Sequence, residues 1–422
     1  MKKTLHQLPS GAKLILVPNK STQAVSVMVI FGVGSRHEHK KINGISHFIE
    51  HLMFKGTTKR PTTLDISKAL DRVGAEFNAG TAKDWTAYYI KVDNQHVELA
   101  MDVISDMIMN SKFDQTEIDR ERGVIIEEIN MYEDNPMMYI EDLLEQVVFD
   151  GNTLGWQISG PRSVIRNVSR QDILDYKNLF YQPNNAVICV AGNFPDDILA
   201  KVREYFTFPK STDKIPDFQP FEFNQSEPRL KIKNQKTEQA QLAFGFPGYG
   251  YKDNRVHALY LLAVILGGNM SSRLFINIRE RQGLCYFIRS YINIYQDTGC
   301  LVIQSGLDTK RIEQSIELIL EELKKVSEEG VSQTELSEAK DFIKGKVILH
   351  LENSSDLAEW YAKQEILTDE SLSPEDKFKL FDQVTVEDIQ KAAKEIFRTE
   401  CINLALIGPF DGGDQFKKLL DL

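Results

Sequence analysis

Cysteine is scarce in this chain: four residues in 422, Cys189, Cys285, Cys300 and Cys401, with no CxxC pair among them. That excludes a disulfide framework and a thiolate-built metal site, and it points to reduced, mostly buried thiols in a reducing compartment. Long apolar runs are missing too. Nothing approaches the roughly 18 consecutive apolar residues of a membrane span. The opening Met1-Lys2-Lys3-Thr4-Leu5-His6-Gln7 lacks the apolar stretch of a secretory signal. A cytoplasmic protein with no membrane partner is the expectation. Basic surplus is absent as well: 61 acidic residues against 50 basic leave a net charge of −11. Phosphate binding relies on a basic surface, so nucleic acid is not an expected partner. What is present is the composition of a globular protein, 42% hydrophobic and 26% charged, which excludes a disordered chain.

A chain of this length exceeds what one hydrophobic core supports, so two domains are expected. The order of elements repeats. Alternating strands at Lys13–Pro18 and Ala24–Phe31 are followed by a helix, a long strand-like segment Phe77–Val92 and further helices. In the second half, strands at Lys231–Lys233 and Gln239–Phe246 precede a helix at Asn254–Leu266. Strand-like segments across Gly283–Leu307 and a helix at Arg311–Glu329 follow. Between the halves, Pro209–Pro228 is rich in Pro, Asp, Phe and Ser without helical periodicity, as a linker is. The predicted fold class is α+β, with two similar domains at residues 1–215 and 229–422. Each would hold a mixed, mostly antiparallel sheet flanked by helices.

The strongest chemical signal is His47-Phe48-Ile49-Glu50-His51. Asn43-Gly44 can cap a helix here, and Ile45, Phe48, Ile49, Leu52 and Met53 supply its apolar stripe. Residues four apart share a helix face, so His47 and His51 can reach one metal ion. Glu50 borders that face, near enough to take a proton from a metal-bound water. This His-x-x-Glu-His order is the inverted zinc-peptidase motif. A catalytic zinc takes three protein ligands and keeps one position open. Asp114-Gln115-Thr116-Glu117 opens a second helix with a capping-box pattern. On it, Glu121 and Glu128 are close to two turns apart and share a face, while Glu127 points away. The spacing favours Glu128 as third ligand, with Glu121 as a nearby carboxylate that fixes the tautomer of a ligating histidine. His37 and His39, flanking Glu38 in a polar stretch, are expected at the surface. His96, His257 and His350 stand alone and read as structural.

The motif, continued by Leu52-Met53-Phe54-Lys55-Gly56-Thr57, resembles the active-site segment of the pitrilysin family of zinc peptidases. Glu121-Arg122-Gly123-Val124-Ile125-Ile126-Glu127-Glu128-Ile129 is similar to that family's distal ligand helix. The branch it most resembles contains the mitochondrial processing peptidase and its bacterial relatives. The resemblance runs along essentially the whole chain. It implies one zinc per chain on His47, His51 and Glu128, Glu50 as general base, and Glu121 as the supporting carboxylate. Arg279 and Tyr286, seven apart in the second half, would reach the substrate carbonyl. Asn78, Ala79 and Thr81 would lie on a strand that pairs edge-on with an extended peptide substrate. It also implies a clamshell of two halves, a homodimer or heterodimer, and hydrolysis of peptide bonds in short or unfolded peptides. Gly267-Gly268-Asn269 stands where the non-catalytic processing subunit has a glycine-rich loop, but it is much shorter.

Overall fold

A computed structural model describes residues 3–211 and 214–422, so part of the segment 209–228 lies outside the described residues. Contacts divide the chain into two compact units, each assembled from three separate stretches. The first holds residues 1–129, 157–219 and 347–374; the second holds 130–156, 220–346 and 375–422. These are not the contiguous halves 1–215 and 229–422. Each unit takes a helix from the other half of the chain, and sequence order carries no trace of that exchange.

The first unit is built on six strands: β1 (Thr4–Gln7), β2 (Lys13–Pro18), β3 (Ala24–Phe31), β4 (Glu76–Thr81), β5 (Thr86–Asp93) and β6 (Ala186–Gly192). They lie in the order β1-β2-β6-β3-β5-β4, antiparallel except for the β2–β6 pair. The segment Phe77–Val92, expected as one strand, is the hairpin β4–β5. Residues 82–85 turn the chain, and Ala82 N–H donates to the carbonyl of Trp85. Side chains alternate across a strand, and here both faces are buried. Val25, Val27, Val29 and Phe31 face one core, while Met28 and Ile30 face another. This is why β3 and β6 read as continuous apolar runs. The second of these cores is closed by the helix Ser354–Thr368 through Leu357, Ala358, Tyr361 and Ala362.

On the first face sit α1 (Ile45–Met53), α2 (Thr63–Asp71), α3 (Val97–Asn110) and α4 (Gln115–Asp134). In the second unit, strands β7 (Arg229–Asn234), β8 (Gln239–Tyr249), β9 (Cys285–Ile294), β10 (Thr298–Asp308) and β11 (Asn403–Gly408) form a sheet ordered β7-β11-β8-β10-β9. Helix α5 (Pro136–Val148) buries Ile140, Leu143, Leu144, Val147 and Val148, and all but Val147 join the core that covers this sheet. Their i, i+3, i+4, i+7, i+8 spacing puts all five on one helix face, each worth roughly 1.5–3 kcal/mol of burial. The expected α+β class, with a mixed sheet and flanking helices in each unit, is what the structure has. All four cysteines are free. Among the described residues, no helix is long and apolar enough to cross a membrane.

The segment carrying Arg279 is a π-helical stretch, Phe275–Arg281. Arg273, two residues before it, makes a bidentate pair with Glu335 at 2.6 and 2.9 Å, and Glu335 also accepts from the Ser332 N–H and hydroxyl. Burial opposes the Glu335 charge, but Arg273 and Ser332 prevail and hold its pKa at about 2, against an ordinary 4.5. A carboxylate with a depressed folded-state pKa stabilises fully above its unfolded value and loses that contribution as pH falls through the folded one. Glu335→Gln should therefore cost about 1–2 kcal/mol at neutral pH, allowing for partial exposure. In urea unfolding, the gap between parent and variant should close as pH falls from about 5 towards 2.

Candidate metal centre

Helix α1 begins at Gly44, whose φ of 100° suits glycine, and an added Cβ would meet the Ser159 carbonyl oxygen at 2.5 Å. Gly44 has no side chain with which to cap, so Asn43-Gly44 is not the cap expected from sequence. Glu38 supplies it from six residues upstream. Its buried carboxylate accepts from Gly44 N–H at 2.7 Å, Ser46 N–H at 2.8 Å and Asn43 Nδ2 at 2.9 Å. These donors stand at the positive end of the helix, where a carboxylate is favoured. Burial raises the Glu38 pKa, and the donors oppose it. Ser46 Oγ and the Tyr176 hydroxyl, 2.9 Å apart, hold the same turn.

With α1 fixed, His47 and His51 project from one face, their Nε2 atoms 3.3 Å apart. Glu128 Oε2, from α4, lies 3.6 Å from His47 Nε2 and 3.4 Å from His51 Nε2. Ligand bonds of 2.0–2.1 Å in a tetrahedron put neighbouring ligand atoms about 3.4 Å apart. The three donors form such a triangle, and all are half-buried. The donor set, two imidazoles and one carboxylate, fits zinc and leaves a fourth position for another group.

Glu121 shares the buried stripe of α4 with Ile118, Ile125 and Ile129. Its Oε2 lies 3.1 Å from His51 Nδ1 and its Oε1 accepts from Lys55 Nζ at 2.7 Å. An Nδ1–H donated to Glu121 leaves the His51 Nε2 lone pair for the metal. His47 has no such support: its Nδ1 is buried without a hydrogen-bond partner. At His47, burial and the neighbouring His51 lower the pKa to about 4, against the pull of Glu128. At His51, burial is outweighed by the hydrogen bonds to Glu121 and Glu128, and the pKa rises to about 9. Glu128 is held below the usual carboxylate range, chiefly by His51. Glu121 is also low, because His51 and Lys55 overcome its burial.

Glu50 lies beside this triangle, and burial pushes its pKa up. The Thr81 hydroxyl at the end of β4 donates to Glu50 Oε2 at 2.5 Å. Asn78 and Ala79 lie on the same edge strand, and the Asn78 side chain accepts from Ala79 N–H at 2.9 Å. Arg279 and Tyr286 come together in the second unit. The guanidinium lies 6.0 Å from the Tyr286 ring centre and 4.5 Å from that of Phe275, and Tyr286 is 76% exposed.

The model of the insulinase family, peptidase family M16, matches residues 13–162, and that of the M16 inactive domain matches residues 167–342. A Bacillus subtilis protein named as an uncharacterized zinc protease is 35% identical across 95% of this chain and 97% of its own. The chain belongs to peptidase family M16. A Streptomyces coelicolor relative, likewise named a zinc protease, is 33% identical across 95% of this chain and 88% of its own. A protease from Helicobacter pylori superposes with a TM-score of 0.90 at 24% identity, covering 97% of this chain and 100% of that one. A Pseudomonas fluorescens structure described as a peptidase M16 inactive domain gives 0.89 at 17% identity, over 97% and 99%. At these identities the superpositions speak for the M16 fold alone.

Sequence reasoning missed two residues around this centre, and one contact of a residue it did name. Lys55 follows the motif directly but had no assigned partner. Glu38 sat in a stretch expected at the surface, and its neighbour His37 is half-buried against Phe180 and Phe218. His39 is exposed, as expected. The Thr81–Glu50 contact also carried no local signal. Glu121→Gln should weaken Zn2+ binding about 10–100-fold, as loss of a histidine's outer partner does. Competition against a chromophoric chelator measures this, with His51→Ala and Glu128→Ala as the larger losses.

Proposed function

We propose that this chain is a zinc endopeptidase of the mitochondrial processing peptidase-like branch, hydrolysing short or unfolded peptides. The convergence of His47, His51 and Glu128, with Glu50 beside them, carries the proposal. These three residues would hold one zinc, which supplies Lewis acidity at its open position. Glu50 accepts a proton from the attacking water as the water oxygen bonds to the scissile carbonyl carbon. When the C–N bond breaks, Glu50 returns that proton to the leaving amine. Glu121, aided by Lys55, keeps the His51 tautomer and ring orientation.

The peptide would add to the outer edge of β4, the end strand of its sheet, through backbone hydrogen bonds that tolerate many sequences. Asn78, Ala79 and Thr81 would line that edge. The Ala79 N–H, now held by Asn78, would be released to the incoming strand. Arg279 and Tyr286 would hold the substrate carbonyl and its developing negative charge. They would come from this chain or from the second subunit of a homodimer or heterodimer. Free cysteines suit a reducing compartment, and a cytoplasmic location is proposed on that ground.

Purified protein should cut a quenched-fluorescent peptide library, lose that activity to a chelator and regain it with Zn2+. Glu50→Gln should keep one zinc per chain while kcat falls about 10²–10⁴-fold. Undiminished hydrolysis by metal-loaded Glu50→Gln would remove Glu50 from the mechanism. Stoichiometric zinc without any peptide cleavage by the parent would replace the peptidase with a non-catalytic partner subunit.

A further inference from the structure

Glu50 is poorly tethered for a residue that must meet a water molecule at one defined place. Helix α1 fixes its backbone, but the carboxylate stands at the end of a flexible side chain with several rotamers. Among the described residues, no lysine or arginine forms an ion pair with it. The hydrogen bond it receives comes from Thr81, whose hydroxyl donates to Oε2 at 2.5 Å. Thr81 closes β4, whose other edge is pinned to β5 in register, with Thr81 opposite Thr86. Thr86 is buried and bonds the Val33 carbonyl at 2.8 Å, so the tether runs back into the sheet.

We propose that Thr81 is a positioning residue for the general base: its hydroxyl holds one carboxylate oxygen of Glu50, leaving the other free to take the proton. This rests on the assignment of Glu50 as base and adds a role for Thr81 distinct from lining the peptide edge. A hydroxyl–carboxylate bond of this length is among the stronger neutral-to-ion hydrogen bonds. Its loss lets the carboxylate sample other rotamers, and misplacement of a catalytic group by about 1 Å costs up to about 100-fold. The same strand end would seat the substrate, so docking of a peptide and aiming of the base become one structural event.

Thr81→Val keeps the shape and the β-branched preference for a strand but removes the hydroxyl. It should bind one zinc with unchanged affinity and unfold at the parent's temperature. Its kcat should fall about 10–100-fold with KM within about twofold. Thr81→Ser, which restores the donor, should recover kcat to within about threefold of the parent, and Thr81→Ala should behave like Thr81→Val. A loss confined to KM would overturn the proposal in favour of substrate contact alone. Parent-like kcat in Thr81→Val, or no recovery in Thr81→Ser, would also overturn it. These outcomes separate from failure of the base assignment, which Glu50→Gln reports on its own.

Discussion

Three hydrogen bonds converge on the Glu38 carboxylate from Asn43, Gly44 and Ser46, and the orientation of α1 follows from them. A nine-residue helix is too short to be stable alone. Its apolar stripe, Ile45, Phe48, Ile49, Leu52 and Met53, holds it on the core of the first unit but leaves room to slide or tilt. The buried carboxylate removes that freedom at the end where the free N–H groups cluster. A buried charge with no donor would be costly; here the helix terminus answers it. Both histidines and Glu50 then stand where the helix puts them.

The triangle of His47, His51 and Glu128 needs two helices to agree. Glu121 does this work at the centre of α4: it occupies a buried position in an otherwise isoleucine stripe and turns outward to His51 and Lys55. One carboxylate thereby ties α1, Lys55 just beyond its end and α4 together. Glu128, two turns on, is half-exposed and free to close the triangle. The asymmetry between the histidines is instructive. His51 is fixed from behind, whereas His47 relies on burial and helix geometry, its Nδ1 unpartnered.

Much of this could be read before any coordinates. The strands Lys13–Pro18 and Ala24–Phe31 fall where alternation and apolar runs place them, because side-chain periodicity is a local property. Helix boundaries near residues 256 and 312 came within two residues of the expected ones for the same reason. The hairpin β4–β5 was read as one strand, since residues 82–85 have no glycine or proline to mark the turn. The exchange of α5 and the helix Ser354–Thr368 between the units was invisible, because nothing in a helix's own pattern names the sheet it will cover.

By itself, then, the sequence determined which of these side chains share a helix face: His47 with His51, Glu121 with Glu128. Helical spacing settles that, whatever the rest of the chain does. Only the tertiary structure decided that the two faces meet. It also decided that Glu38 caps α1, that Lys55 neutralises Glu121 and that Thr81 reaches Glu50. Those contacts join residues far apart in the chain or in stretches without periodicity. They are set by how helices and strand ends pack on one core, which no local pattern records.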